Sequence, residues 1–296
     1  MLFVTAPREP KMLAASMKNF SSPTMQLRFY NYTESARSVY EIGLELKQTH
    51  NISGVFEAWS LLRPWAFKAD LWRALVLWKY GGIYLDNELV LTQPLERWAS
   101  LADNETLSTC FDFADDTFQL PKEDRRDNFT DFRSTWNAVL SAKRGSPVIL
   151  EIIQAILHNV ETRSLGLPTT TQQDLAVTGP VLYGYVIATS SFKNTVRLPC
   201  ANRAGNGVQS LLVEGNLTTT NATDVIIVAD EEEHGLTQTT GINISYGELH
   251  KRGQIYCDNV TNWYGPHDRY ACAIGNETLE AIRNETADAC WWCKFF

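Results

Sequence analysis

The run AFKADLWRALVLWKYGGIYLDNE, from Ala66 to Glu88, constrains this chain more than any other stretch. Phe67, Leu71, Ala74, Leu75 and Trp78 recur at intervals of three and four, the repeat that puts apolar side chains on one face of an α-helix. A helix is therefore predicted over Ala66 to Tyr80. Pro64 stands just before it and Gly81 and Gly82 just after, where a helix takes an entry proline and a left-handed terminal residue. Ile83, Tyr84 and Leu85 then read as a short buried strand that runs straight into Asp86, Asn87 and Glu88, and Leu89 to Leu91 form a second short strand that stops near Pro94. Acids at the carboxyl end of a buried strand sit where open α/β sheets place their ligands. Residues two apart in extended chain point the same way, so Asp86 and Glu88 can face one hard cation, and all-oxygen ligation suits Mn2+ or Mg2+. Asp70 and Arg73, three apart on the helix, share a face that the glycine pair can bring close to those acids. The plain alternatives are a solvated acidic turn and a helix-surface ion pair worth under about 1 kcal/mol.

The flanking segments extend this unit. Leu2 to Thr5 reads as a strand broken off by Pro7 to Pro10, Lys11 to Asn19 as a helix, and Met25 to Tyr30 as a second strand, an order that suggests parallel pairing. Ser35 to Thr49 is an amphipathic helix with Val39, Ile42 and Leu46 on its buried face. Asp115 to Asp131, acidic and rich in turn residues, reads as a surface loop overhanging a cleft. Ser146 to Val160 is a helix with Pro147 at its start, and Thr178 to Thr189 a shorter one opened by Thr178, Gly179 and Pro180. From Val196 onward the pattern is β-rich, with Asp224 to Val228 its clearest strand. The fold class expected is α/β, a mostly parallel sheet flanked by helices with a β-rich, disulfide-containing C-terminal part. With 296 residues, 44% of them hydrophobic and nine tryptophans, the chain can bury one large core, and a single domain over 1–296 is expected.

A formal charge of -8 argues against nucleic acid, which is bound by clustered Lys and Arg, so any phosphate must be met by a local device or a metal. No run approaches the roughly 18 to 20 apolar residues needed to cross a bilayer, and Met1 to Pro7 lacks the character of a signal peptide, so the sequence reads as a soluble chain. Eleven Asn-x-Ser/Thr triplets begin at Asn19, Asn31, Asn51, Asn104, Asn128, Asn216, Asn221, Asn243, Asn259, Asn276 and Asn284. About three would arise by chance, so the excess points to the secretory pathway. In that oxidising setting six cysteines read as disulfides, and Cys257, Cys272, Cys290 and Cys293 crowd the tail. Cys290 and Cys293, three apart, also have the spacing of a zinc or redox pair, but a structural zinc site needs a second close pair.

The run from Ala66 to Glu88 resembles the sugar-binding region of glycosyltransferases carrying a DxD motif, glycosyltransferase family 32. That family includes fungal α-1,6-mannosyltransferases, sphingolipid mannosyltransferases and animal α-1,4-galactosyltransferases, and is related to the clostridial glucosylating toxins. Two patches are similar to it as well: Asn137 to Pro147, where members often carry an Asn before a helix-starting Pro, and Thr178-Gly179-Pro180. Together with the opening strand-helix-strand, the resemblance covers roughly residues 1 to 190. It implies a GT-A fold and a retaining, metal-dependent transfer of a hexose from a UDP- or GDP-sugar to a glycan or glycolipid acceptor. It implies that Asp70 and Arg73 hold the donor sugar, that Asp86 and Glu88 serve metal and nucleotide through Mn2+ or Mg2+, and that Asn137 lies toward the acceptor. Family members usually supply a further metal or phosphate contact from near the C-terminus, for which His250, His267 and Asp268 are candidates. Many are Golgi proteins anchored by a segment this chain does not show. Glu88 stands where Asp is usual, which keeps the charge and adds a methylene. The competing classes are a noncatalytic sugar or nucleotide-sugar binding module and, further off, a two-carboxylate glycosidase. The cluster Glu231 to His234 reads as an exposed loop.

Overall fold

Residues 2–5, 11–20, 25–86, 89–91, 101–113, 117–125, 131–166, 174–198, 200–205, 208–213, 225–229, 255–259 and 272 are described by the structure, a computed structural model. The chain opens as β1 (Leu2–Thr5), α1 (Lys11–Phe20) and β2 (Leu27–Tyr30), and the two strands pair in parallel with Leu2 beside Leu27 and Thr5 beside Tyr30. Helix α2 (Tyr32–His50) starts on a capping box. Asn31 Oδ1 accepts from the Glu34 amide at 2.9 Å, and the Asn31 amide donates to Glu34 Oε2 at 2.8 Å, which satisfies donors that the first turn would leave open. The helix ends on Asn51, whose φ of 56° is the left-handed conformation asparagine tolerates.

A short helix that the spacing does not signal, α3 (Val55–Leu61), leads into α4 (Trp65–Tyr80) and then β3 (Gly82–Leu85). Helix α4 is buried from Phe67 to Trp78 on every face, not on the single face that the spacing of Phe67, Leu71 and Leu75 implies. It packs against α2, α3, α5 (Pro147–Glu161), β3 and β8 (Thr135–Ala142), so its polar residues must find partners inside the protein. Lys68 does so by donating from Nζ to the Trp59 carbonyl at 2.6 Å and the Ser60 carbonyl at 3.2 Å, which caps the end of α3. Burial holds its amine well below the ordinary lysine range. Gly81 then turns the chain at φ 64°, and a Cβ there would lie 2.6 Å from the Arg144 amide nitrogen, so the turn requires glycine.

The remaining strands are β4 (Leu89–Leu91), β5 (Leu107–Phe113), β6 (Thr117–Gln119), β7 (Asp131–Arg133), β9 (Val196–Arg197), β10 (Cys200–Gly205), β11 (Val208–Val213) and β12 (Val225–Ala229), and the last helix is α6 (Pro180–Thr189). The main sheet runs β2-β1-β3-β8-β5-β10-β11-β12-β4, with β9 also beside β5. The sheet is mixed, which corrects the mostly parallel sheet expected. Strand β8 enters antiparallel between β3 and β5, and the pairs β10–β11, β11–β12 and β12–β4 are antiparallel too. The physical reason is connection length: β10 and β11 are joined by two residues, and a connection that short can only reverse the chain. Among its described residues the segment Asp115 to Asp131 carries strand as well as loop, since β6 and β7 pair over Thr117 to Gln119 and Asp131 to Arg133. Phe118, Leu120 and Phe132 bury that ribbon against Val181 of α6.

The C-terminal part is tied in by the Leu62 to Tyr256 bridge and by the Arg63 amide donating to the Ile255 carbonyl at 2.9 Å, and the Cys257–Cys272 disulfide closes a loop within it. Cys110 is disulfide-bonded as well, while Cys290 and Cys293 lie outside the described residues. Among the described residues no helix is long and apolar enough to cross a membrane.

Candidate functional site

Strands β1, β2, β3 and β5 run in one direction, so their carboxyl ends share one edge of the sheet. Asp86 leaves β3 at that edge, fixed by its amide donating to the Ala138 carbonyl of β8 at 2.9 Å. This is the position the sequence assigns to the acids. Glu88 and Asn87 lie outside the described residues, as do His250, His267, Asp268 and the segment Glu231 to His234.

Asp70 and Arg73 point from α4 toward the same edge. Arg73 Nη2 lies 3.1 Å from Asp70 Oδ1, and Arg73 Nη1 lies 3.4 Å from Asp86 Oδ1. Nη1 also donates to the Asn137 carbonyl at 2.5 Å, and the guanidinium carbon stands 4.5 Å from the centre of the Tyr84 ring. Asp70 and Arg73 are each 6% exposed. The surface ion pair weighed from the sequence is thus replaced by a buried one that joins helix, strand and site, where each charge depends on the other.

Asp70 is gripped from a third element. Thr178, fully buried ahead of α6, donates from Oγ1 to Asp70 Oδ2 at 2.9 Å, and Tyr183 Oη donates to the Asp70 carbonyl at 2.7 Å. Gly179 makes this approach possible, because a Cβ there would lie 3.3 Å from Asp70 Oδ2 and 3.2 Å from the Leu175 carbonyl. Burial pushes the Asp70 carboxyl up to about 6, against the pull of Arg73 and the Thr178 hydrogen bond. For Arg73, burial works to lower the pKa, but the neighbouring carboxylates of Asp86 and Asp70 outweigh it and keep the guanidinium charged. Burial also drives the Tyr84 and Tyr183 phenols up, so both remain neutral donors.

Two groups in this cluster are left with bonding capacity. Tyr84 Oη donates to Asp86 Oδ1 at 2.5 Å, so that oxygen is shared between phenol and guanidinium, whereas Oδ2 takes part in no hydrogen bond among the described residues. The Asp86 side chain is 36% exposed. Asn137, 4% exposed, has its Oδ1 fixed by Thr135 Oγ1 at 3.0 Å. Its Nδ2 lies near enough to Asp70 to favour the charged carboxylate, yet makes no hydrogen bond at bonding distance. A buried amide N–H without a partner costs about 1 to 3 kcal/mol, so a ligand oxygen placed there would recover that cost.

The structure therefore brings Asp70, Arg73, Asp86 and Asn137 together. Tyr84 and Thr178 join them in roles the sequence did not assign. Tyr84 could have been found from its place two residues before Asp86, on the same side of extended chain. Thr178 gave no such signal, since it lies 108 residues from the carboxylate it serves.

Arg73 can offer hydrogen to a ligand, Asp70 can accept it, and Asp86 offers a hard oxygen to a cation, whereas Asn137 Nδ2 is fully enclosed and becomes available only if its neighbours shift. Such a set suits a polyhydroxylated ligand beside a metal. Among the described residues no three His, Cys, Asp or Glu side chains cluster as a ready-made metal site, so any cation at Asp86 would need ligands from Glu88 or from a bound phosphate.

Comparison with known proteins agrees with this chemistry. Residues 16–107 match the family described as glycosyltransferase sugar-binding region containing DXD motif. No curated protein matches the chain. Among solved structures the chain is similar to "PaToxG Glycosyltransferase" at 11% identity, over 63% of this chain and 66% of that one, with a TM-score of 0.35; no residue role follows from a likeness at that level.

Proposed function

We propose that this chain, whose residues 16–107 carry the sugar-binding region of DXD-type glycosyltransferases, is a metal-dependent glycosyltransferase that moves a hexose from a UDP- or GDP-sugar to a glycan or glycolipid acceptor. The observation that carries the reading is the buried Asp70–Arg73 ion pair at the carboxyl edge of β3, linked to the partly exposed Asp86. Arg73 reads the sugar and compensates nearby charge, while Asp70 accepts from a sugar hydroxyl. Asn137, whose side chain neighbours Asp70, is assigned to the acceptor side in this reading.

Asp86 Oδ2 and Glu88 are the groups that would hold Mn2+ or Mg2+, and the fit rests on Oδ2 being uncommitted while Oδ1 is engaged by Tyr84 and Arg73. A divalent cation bound there offsets the charge that grows on the departing nucleotide diphosphate. The described site holds no side chain placed as an enzymatic nucleophile. Retention, which the family resemblance implies, would proceed by attack of the acceptor hydroxyl on the face the diphosphate leaves, with the leaving phosphate taking the proton.

GT-A architecture, one domain over 1–296 and residence in the Golgi or secretory lumen belong to the same proposal. The sequon excess supports the compartment. A noncatalytic nucleotide-sugar binding module is the second reading, favoured by Glu88 in the usual place of Asp.

A panel of UDP- and GDP-sugars with Mn2+ or with EDTA, run on the intact chain and on Asp86→Ala, separates the two. Manganese-dependent release of one nucleotide, abolished by the substitution, supports the transferase. Metal-dependent binding without turnover supports the binding module.

A further inference from the structure

Among the sequon asparagines with described side chains, Asn51 and Asn104 are exposed, whereas Asn31 is half-buried and occupied as the cap of α2. Asn51 ends α2 in the left-handed conformation, with Ile52 buried behind it and Ser53 exposed. Asn104 lies in the turn that the Glu105 amide closes onto the Ala102 carbonyl at 3.0 Å. Neither side chain takes part in a hydrogen bond among the described residues, so each Nδ2 faces solvent with nothing to lose by substitution.

Both asparagines also stand at one end of the molecule. Ala142 of β8 pairs with Gly82 and with Leu107, and Lys143 donates to the carbonyls of Ala102 at 2.6 Å and Asp103 at 2.8 Å, which brings the Asn104 turn against residues 142–143. The His50 ring, next to Asn51, lies 5.3 Å from that of Trp78, whose carbonyl accepts from the Gly145 amide at 2.7 Å. Asp86 bonds to Ala138, four residues back along β8, so this end is separated from the acids by about 13 Å of strand.

We propose that Asn51 and Asn104 carry N-linked glycans, which project from the edge of the sheet opposite the Asp70–Arg73–Asp86 cluster and leave that cluster open. In the transfer, Asn Nδ2 attacks the anomeric carbon of a lipid-linked diphosphate oligosaccharide. A C–N bond forms, the C–O bond to phosphate breaks, Nδ2 gives up one proton, and the diphosphate leaves on the lipid.

The test is the full chain, routed through the secretory lumen of eukaryotic cells and released from its glycans by peptide N-glycosidase in 18O water, which converts each carrier Asn to a labelled Asp. Secreted, folded material is mapped, because the transfer precedes folding and the fold decides which glycans it accepts: one on Asn31 would break the α2 cap. Label on Asn51 and Asn104 in the greater part of the molecules, with one band step lost in each of Asn51→Gln and Asn104→Gln, is expected. Label absent from either site in the secreted protein, or occupancy there at Asn31 exceeding that at both, would overturn the proposal.

Discussion

Replacing Arg73 by Met keeps most of the side-chain volume and removes every charge contact at once. Asp70 loses its partner at 3.1 Å, Asp86 loses one at 3.4 Å, and the Asn137 carbonyl loses a donor at 2.5 Å. Breaking a buried pair by deleting one member costs about 3 to 5 kcal/mol. Part of that is relieved here, because Asp70, already pushed up to about 6, can take a proton once the guanidinium is gone. At about pH 7.5 the expected loss is therefore near the lower end, about 3 kcal/mol, and it shrinks at about pH 5, where Asp70 is largely protonated in the parent protein too. Urea denaturation at the two pH values measures both quantities. Combining Arg73→Met with Asp70→Asn should cost less than the sum of the two, by at least about 1 kcal/mol, because the two groups are in contact. A loss under about 1 kcal/mol at both pH values would mean the pair behaves as a surface contact, and would refute the buried chain of charges.

Two further outcomes follow from the same geometry. The Asp70 carboxyl is raised in the folded state, so the stability it contributes is present below its ordinary range near pH 4 and is lost as pH rises through about 6; the loss, at most about 3 kcal/mol, should vanish in Asp70→Asn when denaturation midpoints are followed from about pH 4.5 to 7.5. Thr178→Val removes a hydrogen bond to a charged acceptor, and should lower kcat/KM with the nucleotide sugar about tenfold to hundredfold, whereas Thr178→Ser, which keeps the hydroxyl, should stay within about threefold of the parent.

Local signals carried most of the helices and the donor-side acids. Helix α4 was legible because Phe67, Leu71, Leu75 and Trp78 keep helical spacing between Pro64 and Gly81, and the position of Asp86 followed from the strand before it. The same spacing understated burial, since a helix enclosed on all sides differs from an amphipathic one only in its polar minority, and here Lys68, Asp70 and Arg73 are buried too. Strand β8 was missed because all eight of its residues are buried, which erases the alternation that marks a half-exposed strand. Its antiparallel entry between β3 and β5 depends on tertiary pairing that no local pattern encodes. Ribbon β6–β7 escaped notice because Phe118 and Phe132 are isolated apolar residues in an acidic, turn-rich stretch. Asn137 and Thr178 lie in patches similar to the family, but their contacts with Asp70, like that of Tyr183, come from the folded chain and no local pattern encodes them.

The central claim is that Asp70 and Arg73 read the sugar, with the nucleotide diphosphate held elsewhere through Asp86 and a cation. Calorimetric titration in Mn2+ of the preferred nucleotide sugar, and of its nucleoside diphosphate alone, into the parent chain and Asp70→Asn tests this most directly. The account predicts that the substitution weakens the nucleotide sugar by about tenfold or more and leaves the bare diphosphate within about twofold. Equal weakening of both ligands, or of neither, would contradict it.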